Sequence, residues 1–227
     1  MAIISREHNL LFIMTPRTAC TAIGELLCQE YGGQFVPSED IIDSRGFISV
    51  QRKHSTLAEL IQHKILPEDE LRSLLKLVAV RNPYDSLVSL YLKKREKYRP
   101  LLRDRSSWVY RVPHYADDMR YCQTHTFNEW IRKVCHRKLV RRLLGQHPSM
   151  FAEHVHGTDI VLRYETIEDD LKQAFRTAMI PWKATIPRTN LTHERSDRDY
   201  RGYYSKFGAL AVKLAYSHDL KTYDYRF

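Results

Sequence analysis

The chain has 227 residues and carries 36 Lys+Arg against 27 Asp+Glu, a formal net charge of +9. With 43% hydrophobic and 11% aromatic residues it is no disordered polymer, and no apolar run approaches the ~20 residues of a membrane span. The excess of cations points to an anionic partner: nucleic acid, a membrane surface or a polyanionic cofactor.

The length suits one domain over residues 1–227, and no Gly/Ser/Pro-rich linker or repeat divides it. The first residues read as polar, without the long apolar stretch of a signal peptide. Cys20, Cys28, Cys122 and Cys135 form no CxxC pair. The expectation is therefore a cytoplasmic protein with reduced thiols and no metal site.

Residues 10–14 (Leu-Leu-Phe-Ile-Met) are continuously apolar, as in a strand buried on both faces of a parallel sheet. The polar turn Thr15-Pro16-Arg17-Thr18 leads into a helix over 19–31, with Ala22, Ile23, Leu26 and Leu27 on one face. A short strand is expected at 46–50, a helix at 57–65 stopped by Pro67, and another buried strand at 74–80. Asn82 and Pro83 then supply an N-cap and a first helical residue, and Tyr84, Leu87, Val88 and Tyr91 form one helical face. Residues 99–125, rich in Arg, Tyr and His, read as a lid or insertion over a site. A basic helix over 127–144, a strand at 159–164, a helix at 167–179, a loop over 181–199 and a last helix at 203–217 complete the pattern. Strand–turn–helix units of this kind define an α/β fold.

Two junctions bear the chemistry. A turn that enters a helix presents unpaired N–H groups and the positive end of the dipole, which suits phosphate. At the first, Arg17 adds a charge, and Thr18 and Thr21 add hydroxyls. An ordinary capped helix with a solvent-facing Arg is the other reading of the same residues. The GxxxxGK[ST] spacing is absent, since no Gly lies between residues 10 and 23. At the second, Arg81 follows a buried strand, where open α/β sheets bind ligands, and Ser89 lies further along the helix. Two such strand ends suit a ligand with two separated phosphates. A plain Arg81–Asp85 pair is the alternative.

These segments resemble those of sulfotransferases that use 3′-phosphoadenosine 5′-phosphosulfate (PAPS). Pro16-Arg17-Thr18-Ala19-Cys20-Thr21 resembles that family's 5′-phosphosulfate loop, and residues 80–91, from Val80-Arg81-Asn82-Pro83, resemble its 3′-phosphate motif. Arg163-Tyr164-Glu165 and the tail from Tyr200 to Phe227 resemble further elements of bacterial and carbohydrate-type members. The resemblance implies a P-loop-NTPase-like three-layer α/β/α fold with a central, mainly parallel sheet. It implies transfer of the sulfuryl group of PAPS, without a metal, to a hydroxyl or amine of a small-molecule or glycan acceptor. Arg17 and the amides of Thr18, Ala19, Cys20 and Thr21 would hold the 5′ end, with Arg17 also stabilising the leaving group. Arg81 and Ser89 would take the 3′-phosphate, Tyr164 would lie near the adenine, and Arg195 and Arg201 would be further contacts from a closing loop. The chain departs from the family loop where Arg17 replaces the common Lys, Ala19 a frequent Gly, and Cys20 a Ser or Thr. Ala19 carries the expectation that the backbone there avoids positive φ.

An acceptor proton needs a base, and His is the natural group near neutral pH. Among 11 His, His54 is favoured from its place after the short strand, with His114 and His125 as rivals and Glu59 as a weaker one. A helix-capping or surface His is the bland alternative for His54. Trp108, Tyr110 and Tyr115 would line an acceptor pocket or belong to the core. Arg132, Lys133, Arg137, Lys138, Arg141 and Arg142 form either a solvated face or, with Arg103 and Arg105, a recruiting surface for an anionic acceptor such as a sulfated glycan. Two other classes remain in play: a P-loop kinase-like phosphotransferase, and a non-catalytic nucleic-acid-binding protein. The first lacks its Gly-rich loop, and the α/β pattern does not resemble a nucleic-acid reader fold, so no nucleic-acid partner is expected.

Overall fold

The computed structural model describes residues 2–187 and 199–227. In chain order its elements are β1 (Ala2–Ser5), β2 (Leu10–Ile13), α1 (Cys20–Glu30), β3 (Gln34–Val36), β4 (Ile41–Ile42), β5 (Ile48–Val50), α2 (Leu57–Gln62), α3 (Glu68–Ser73) and β6 (Leu75–Val80). Then follow α4 (Pro83–Leu92), α5 (Tyr115–Thr124), α6 (Phe127–Leu143), α7 (Ala152–Val155), β7 (Ile160–Arg163), α8 (Ile167–Thr177), α9 (Lys206–Ala215) and α10 (Ser217–Thr222). Contacts group the described residues into two compact units, 2–81 with 151–187, and 82–150 with 199–227.

The first unit is a three-layer α/β structure. Its sheet has the order β3-β1-β2-β6-β7, with β2, β6 and β7 mutually parallel and β1 antiparallel to both its neighbours. Four of the five strands therefore point the same way. Alternation of side chains across the strands splits the core in two. Ile3, Leu10, Phe12, Leu77, Ala79 and Leu162 face α1 and α8, through Ile23, Leu27, Leu171 and Phe175. Ala2, Ile4, Leu11, Ile13 and Val78 face α2 and α3, through Leu57, Leu60 and Leu71. Each fully buried Ile, Leu, Val or Phe among these contributes about 1.5–3 kcal/mol. Gly24 lets α1 lie close on the sheet: a Cβ there would sit 2.6 Å from Ile3 Cδ1.

Two expectations change here. The N-terminal residues are not a polar lead-in but a buried strand, Ala2–Ser5, paired with β2 from Ala2↔Ile13 to Ser5↔Leu10. The strand expected at 46–50 is shorter, Ile48–Val50, and pairs with β4 in a separate two-stranded sheet. Its ends carry Gly46 and polar residues, too little apolar surface for a place between buried strands.

The second unit is helical. Asn82 caps α4 as expected, its Oδ1 accepting from Tyr84 N at 3.1 Å, and its Nδ2 donates to the Arg226 carbonyl at 2.8 Å. Helices α6 and α9 run side by side in the same direction. Asn128 Nδ2 donates to Tyr203 O at 3.0 Å near their starts, and Arg142 Nη1 reaches the Leu214 carbonyl and Ser217 Oγ near their ends. The segment read as a lid or insertion has a core of its own: Val109, Ala116 and Met119, with Trp108, Tyr110 and Tyr115 packed against them. At its base Asp118 accepts from Lys94 Nζ at 2.7 Å, Trp130 Nε1 at 3.1 Å and Lys133 Nζ at 3.2 Å. Burial opposes charge on this carboxyl, but the Lys94 charge and the three hydrogen bonds outweigh it and hold the pKa below the usual range.

Candidate active site

The site lies at the carboxyl edge of the three parallel strands of the first unit, the edge at which open α/β sheets bind ligands. Strand β2 ends at Ile13 and gives way to the loop 14–19. Strand β6 ends at Val80, placing Arg81 next, and β7 ends at Arg163, followed by Tyr164. The parallel registers Ile13↔Val78 and Val80↔Arg163 bring these three strand ends together. Arg81 is 6% exposed. Its Nη1 donates to the Arg17 carbonyl at 2.9 Å, and its guanidinium lies 3.9 Å from the centre of the Tyr164 ring. Segments distant in sequence are thus locked by one side chain, with a cation–π contact on one side and a hydrogen bond on the other.

The loop departs from expectation at Ala19, which adopts φ 58°, ψ 15°, while Arg17 has φ 70°. The expectation that Ala19 avoids positive φ is overturned. The tight turn from β2 into α1 demands a left-handed residue, and alanine's small Cβ tolerates it at a cost of about 1–2 kcal/mol. Left-handed residues in such a turn aim successive amides into a shared concavity, the backbone nest that binds anions. No side chain caps α1, and its first turn holds no carboxylate. Its N-terminal amides and the positive end of its dipole therefore face the loop with no carboxylate of α1's own first turn beside them.

The loop side chains divide. Thr18 is fully buried and its hydroxyl donates to the Thr15 carbonyl at 2.9 Å, so it braces the loop and offers a ligand only its backbone amide. Cys20 is buried, and Thr21 and Arg17 are half-buried. Sequence reasoning passed over Thr15: its Oγ1 is buried and, among the described residues, has no hydrogen-bond partner. An orphaned hydroxyl at the mouth of an anion nest is what a phosphate or sulfate oxygen would satisfy. The residues present fit a bound phosphosulfate.

His54 also meets the loop. Its Nδ1 lies 2.8 Å from the Met14 carbonyl, so Nδ1 carries the proton and donates, and Nε2 keeps its lone pair. Burial pushes its pKa down to about 3; the Met14 hydrogen bond acts the other way, and His154 and Lys53 add a smaller lowering. The imidazole is therefore neutral, fixed in one tautomer, and ready to accept rather than donate. Neighbouring His154 is shifted in the same direction, again chiefly by burial.

Several of the remaining candidates have partners of their own. Glu59 is occupied by a capping box, its Oε2 accepting from Thr56 N at 2.7 Å. In the second unit, Ser89 is buried on α4 and His114 is an exposed N-cap residue of α5. His125 stacks on Tyr121 with centroids 3.7 Å apart, and its Nδ1 is 2.8 Å from Thr124 Oγ1. Arg201 is exposed and pairs with Asp199 at 3.3 Å. Trp108, Tyr110 and Tyr115 take the core alternative, and Tyr110 OH donates to Leu102 O at 2.8 Å. Arg195 and the loop around it lie outside the described residues.

Fold and site together place a left-handed loop, a buried arginine and a neutral histidine at the carboxyl edge of an α/β sheet. A family model described as "Sulfotransferase family" matches residues 1–226, and the chain belongs to that family. It is similar to carbohydrate sulfotransferase 11 of Rattus norvegicus, 27% identical over 86% of this chain and 56% of that protein. It is likewise similar to carbohydrate sulfotransferase 11 of Mus musculus, 26% identical with the same coverage. The chain spans about half the length of the curated relatives it matches. No solved structure matches it.

Proposed function

We propose that this chain transfers the sulfuryl group of PAPS to a carbohydrate hydroxyl, releasing adenosine 3′,5′-bisphosphate. The observation that carries the reading is the Arg81 lock, which joins a left-handed anion nest to the strand end bearing Tyr164. The loop is P-loop-like in plan, a turn between a parallel strand and a helix, but it reaches its shape without glycine. The relatives' printed names favour a carbohydrate over other small molecules or an amine as acceptor.

In the reaction the acceptor oxygen attacks sulfur in line. The S–O bond to the 5′-phosphate breaks, a new S–O bond forms, and the acceptor proton passes to Nε2 of His54. Charge that builds on the departing phosphate oxygen is met by Arg17 and the amides of residues 18–21, groups already oriented before reaction. The low pKa of His54 belongs to a site without its anionic substrate. The bisphosphate would stabilise the imidazolium that forms and raise its basicity.

Transfer of labelled sulfate from PAPS to a panel of oligosaccharides, alcohols, phenols and amines tests the reading. The expected result is label on the oligosaccharides, with thermal stabilisation by adenosine 3′,5′-bisphosphate. Stabilisation by ATP·Mg alone would move the chain to the phosphotransferases, and by single-stranded DNA alone to nucleic-acid binding.

A further inference from the structure

The second unit carries a surface that the proposed chemistry does not use. On α9, Phe207, Leu210 and Leu214 recur at i, i+3 and i+7 on one face, away from the buried Val212, and are exposed, Phe207 by 66%. The Arg142 contacts to the Leu214 carbonyl and Ser217 Oγ set the last turn of α6 beside that of α9. That turn is followed by Leu144, 73% exposed, and ends in Leu143, 87% exposed. Five large apolar side chains thus stand in solvent, three along α9 and two at the carboxyl end of the neighbouring α6.

The two helices that carry them are strongly cationic. Helix α6 holds six Lys/Arg and one carboxylate, and α9 holds two lysines and none. The α6 carboxylate, Glu129, is at the far end in its own capping box, and Asp219, the carboxylate of α10, is buried. Arg137, Arg141, Lys206 and Lys213 are exposed on the same two helices. Exposed apolar side chains on helices rich in cations and poor in carboxylates are the signature of a surface that lies in the headgroup region of a membrane.

We propose that this α6–α9 face docks on the surface of an anionic phospholipid bilayer, with Phe207, Leu210, Leu214, Leu143 and Leu144 entering the interface and the cations meeting lipid phosphates. Charge complementarity selects this occupant. A second copy of the same face would bring two cationic surfaces together, and a sulfated glycan would leave the leucines and Phe207 in water. The proposal is independent of the transfer reaction, so its failure leaves that reading untouched.

The test is co-sedimentation of the full chain with vesicles of phosphatidylcholine alone or mixed with phosphatidylserine, across a salt series. Binding is expected to the mixed vesicles and to weaken with salt. The pair F207S/L210S should weaken it tenfold or more, as should K206E/K213E. L143S/L144S, outside the α9 packing, is the second apolar variant should the first pair fail to fold by its thermal melt. Three results would each overturn the proposal: no binding to the mixed vesicles; binding lost in K206E/K213E but unchanged in both apolar variants, which marks a site for any polyanion, heparin included; or a dimer that the apolar variants convert to monomer.

Discussion

One largely buried polar group in each unit makes a contrast: Asp118 in the helical unit and Thr15 in the sheet unit. In the helical unit, Asp118 is satisfied completely by Lys94, Trp130 and Lys133, and its charge is held by partners the chain itself provides. At the sheet edge of the other unit, Thr15 Oγ1 is buried without a partner among the described residues, Arg17 and Ala19 are left-handed, and His54 is kept neutral by burial. Buried polar groups with internal partners stabilise a fold. Groups held in place with vacancies stabilise whatever arrives to fill them, and the fold bears the strain.

The sharpest way to break this contrast is at Arg17. Arg17→Ala is expected to lower kcat/KM for sulfuryl transfer by about 10²–10³, the scale for removing one preorganised charge-stabilising donor, with little change in the thermal midpoint. His54→Ala should lower kcat by about 10²–10⁴, as expected for loss of a general base, and steady-state rates with a saturating acceptor measure it. A near wild-type rate would remove His54 from the mechanism. In the helical unit the effect should reverse in kind. Asp118→Asn leaves Lys94, only 7% exposed, without its counter-charge and should cost about 3 kcal/mol in urea unfolding, while activity per folded molecule persists.

The pH dependence of stability separates the units further. The His54 pKa is depressed from 6.5 to about 3 on folding. Between those values the unfolded chain binds the extra proton, so His54's contribution to stability, intact above 6.5, is lost progressively as pH falls toward 3. Asp118 is also depressed, and its contribution is lost only in more acid solution, as pH falls from the ordinary carboxylate value through its lowered folded pKa. Thermal midpoints from pH 7 to 4 should fall less steeply in His54→Ala than in the wild type. The smallest effect is expected at Ala19→Gly, where removing Cβ relieves the left-handed strain. The midpoint should rise by an amount worth under about 1 kcal/mol, since glycine's looser unfolded state offsets part of the gain. A fall in the midpoint would mean that Ala19 bears no strain.

Much of the architecture was legible because its signals are local. The apolar run before Thr15, the run ending at Val80 and the Asn82-Pro83 cap state strand, turn and helix within a few residues of chain. The hidden elements were those with weak local signals. Ala2–Ser5 is too short to show alternation, and Ile48–Val50 reads the same in either sheet. Within the site, residue types and their places in the chain named Arg17, Arg81 and His54 as the groups of interest, and the family resemblance named Tyr164. Their partners were not legible. The sequence by itself determined the strand-turn-helix order, the cation at each of two strand ends and the resemblance to one family, since each depends on neighbours in the chain. Only the tertiary structure decided that Ala19 is left-handed, that Arg81 is spent on the Arg17 carbonyl and the Tyr164 ring, and that His54 offers Nε2. Those facts depend on contacts across forty to eighty residues of chain, which exist only once parallel strands have brought their carboxyl ends to one edge.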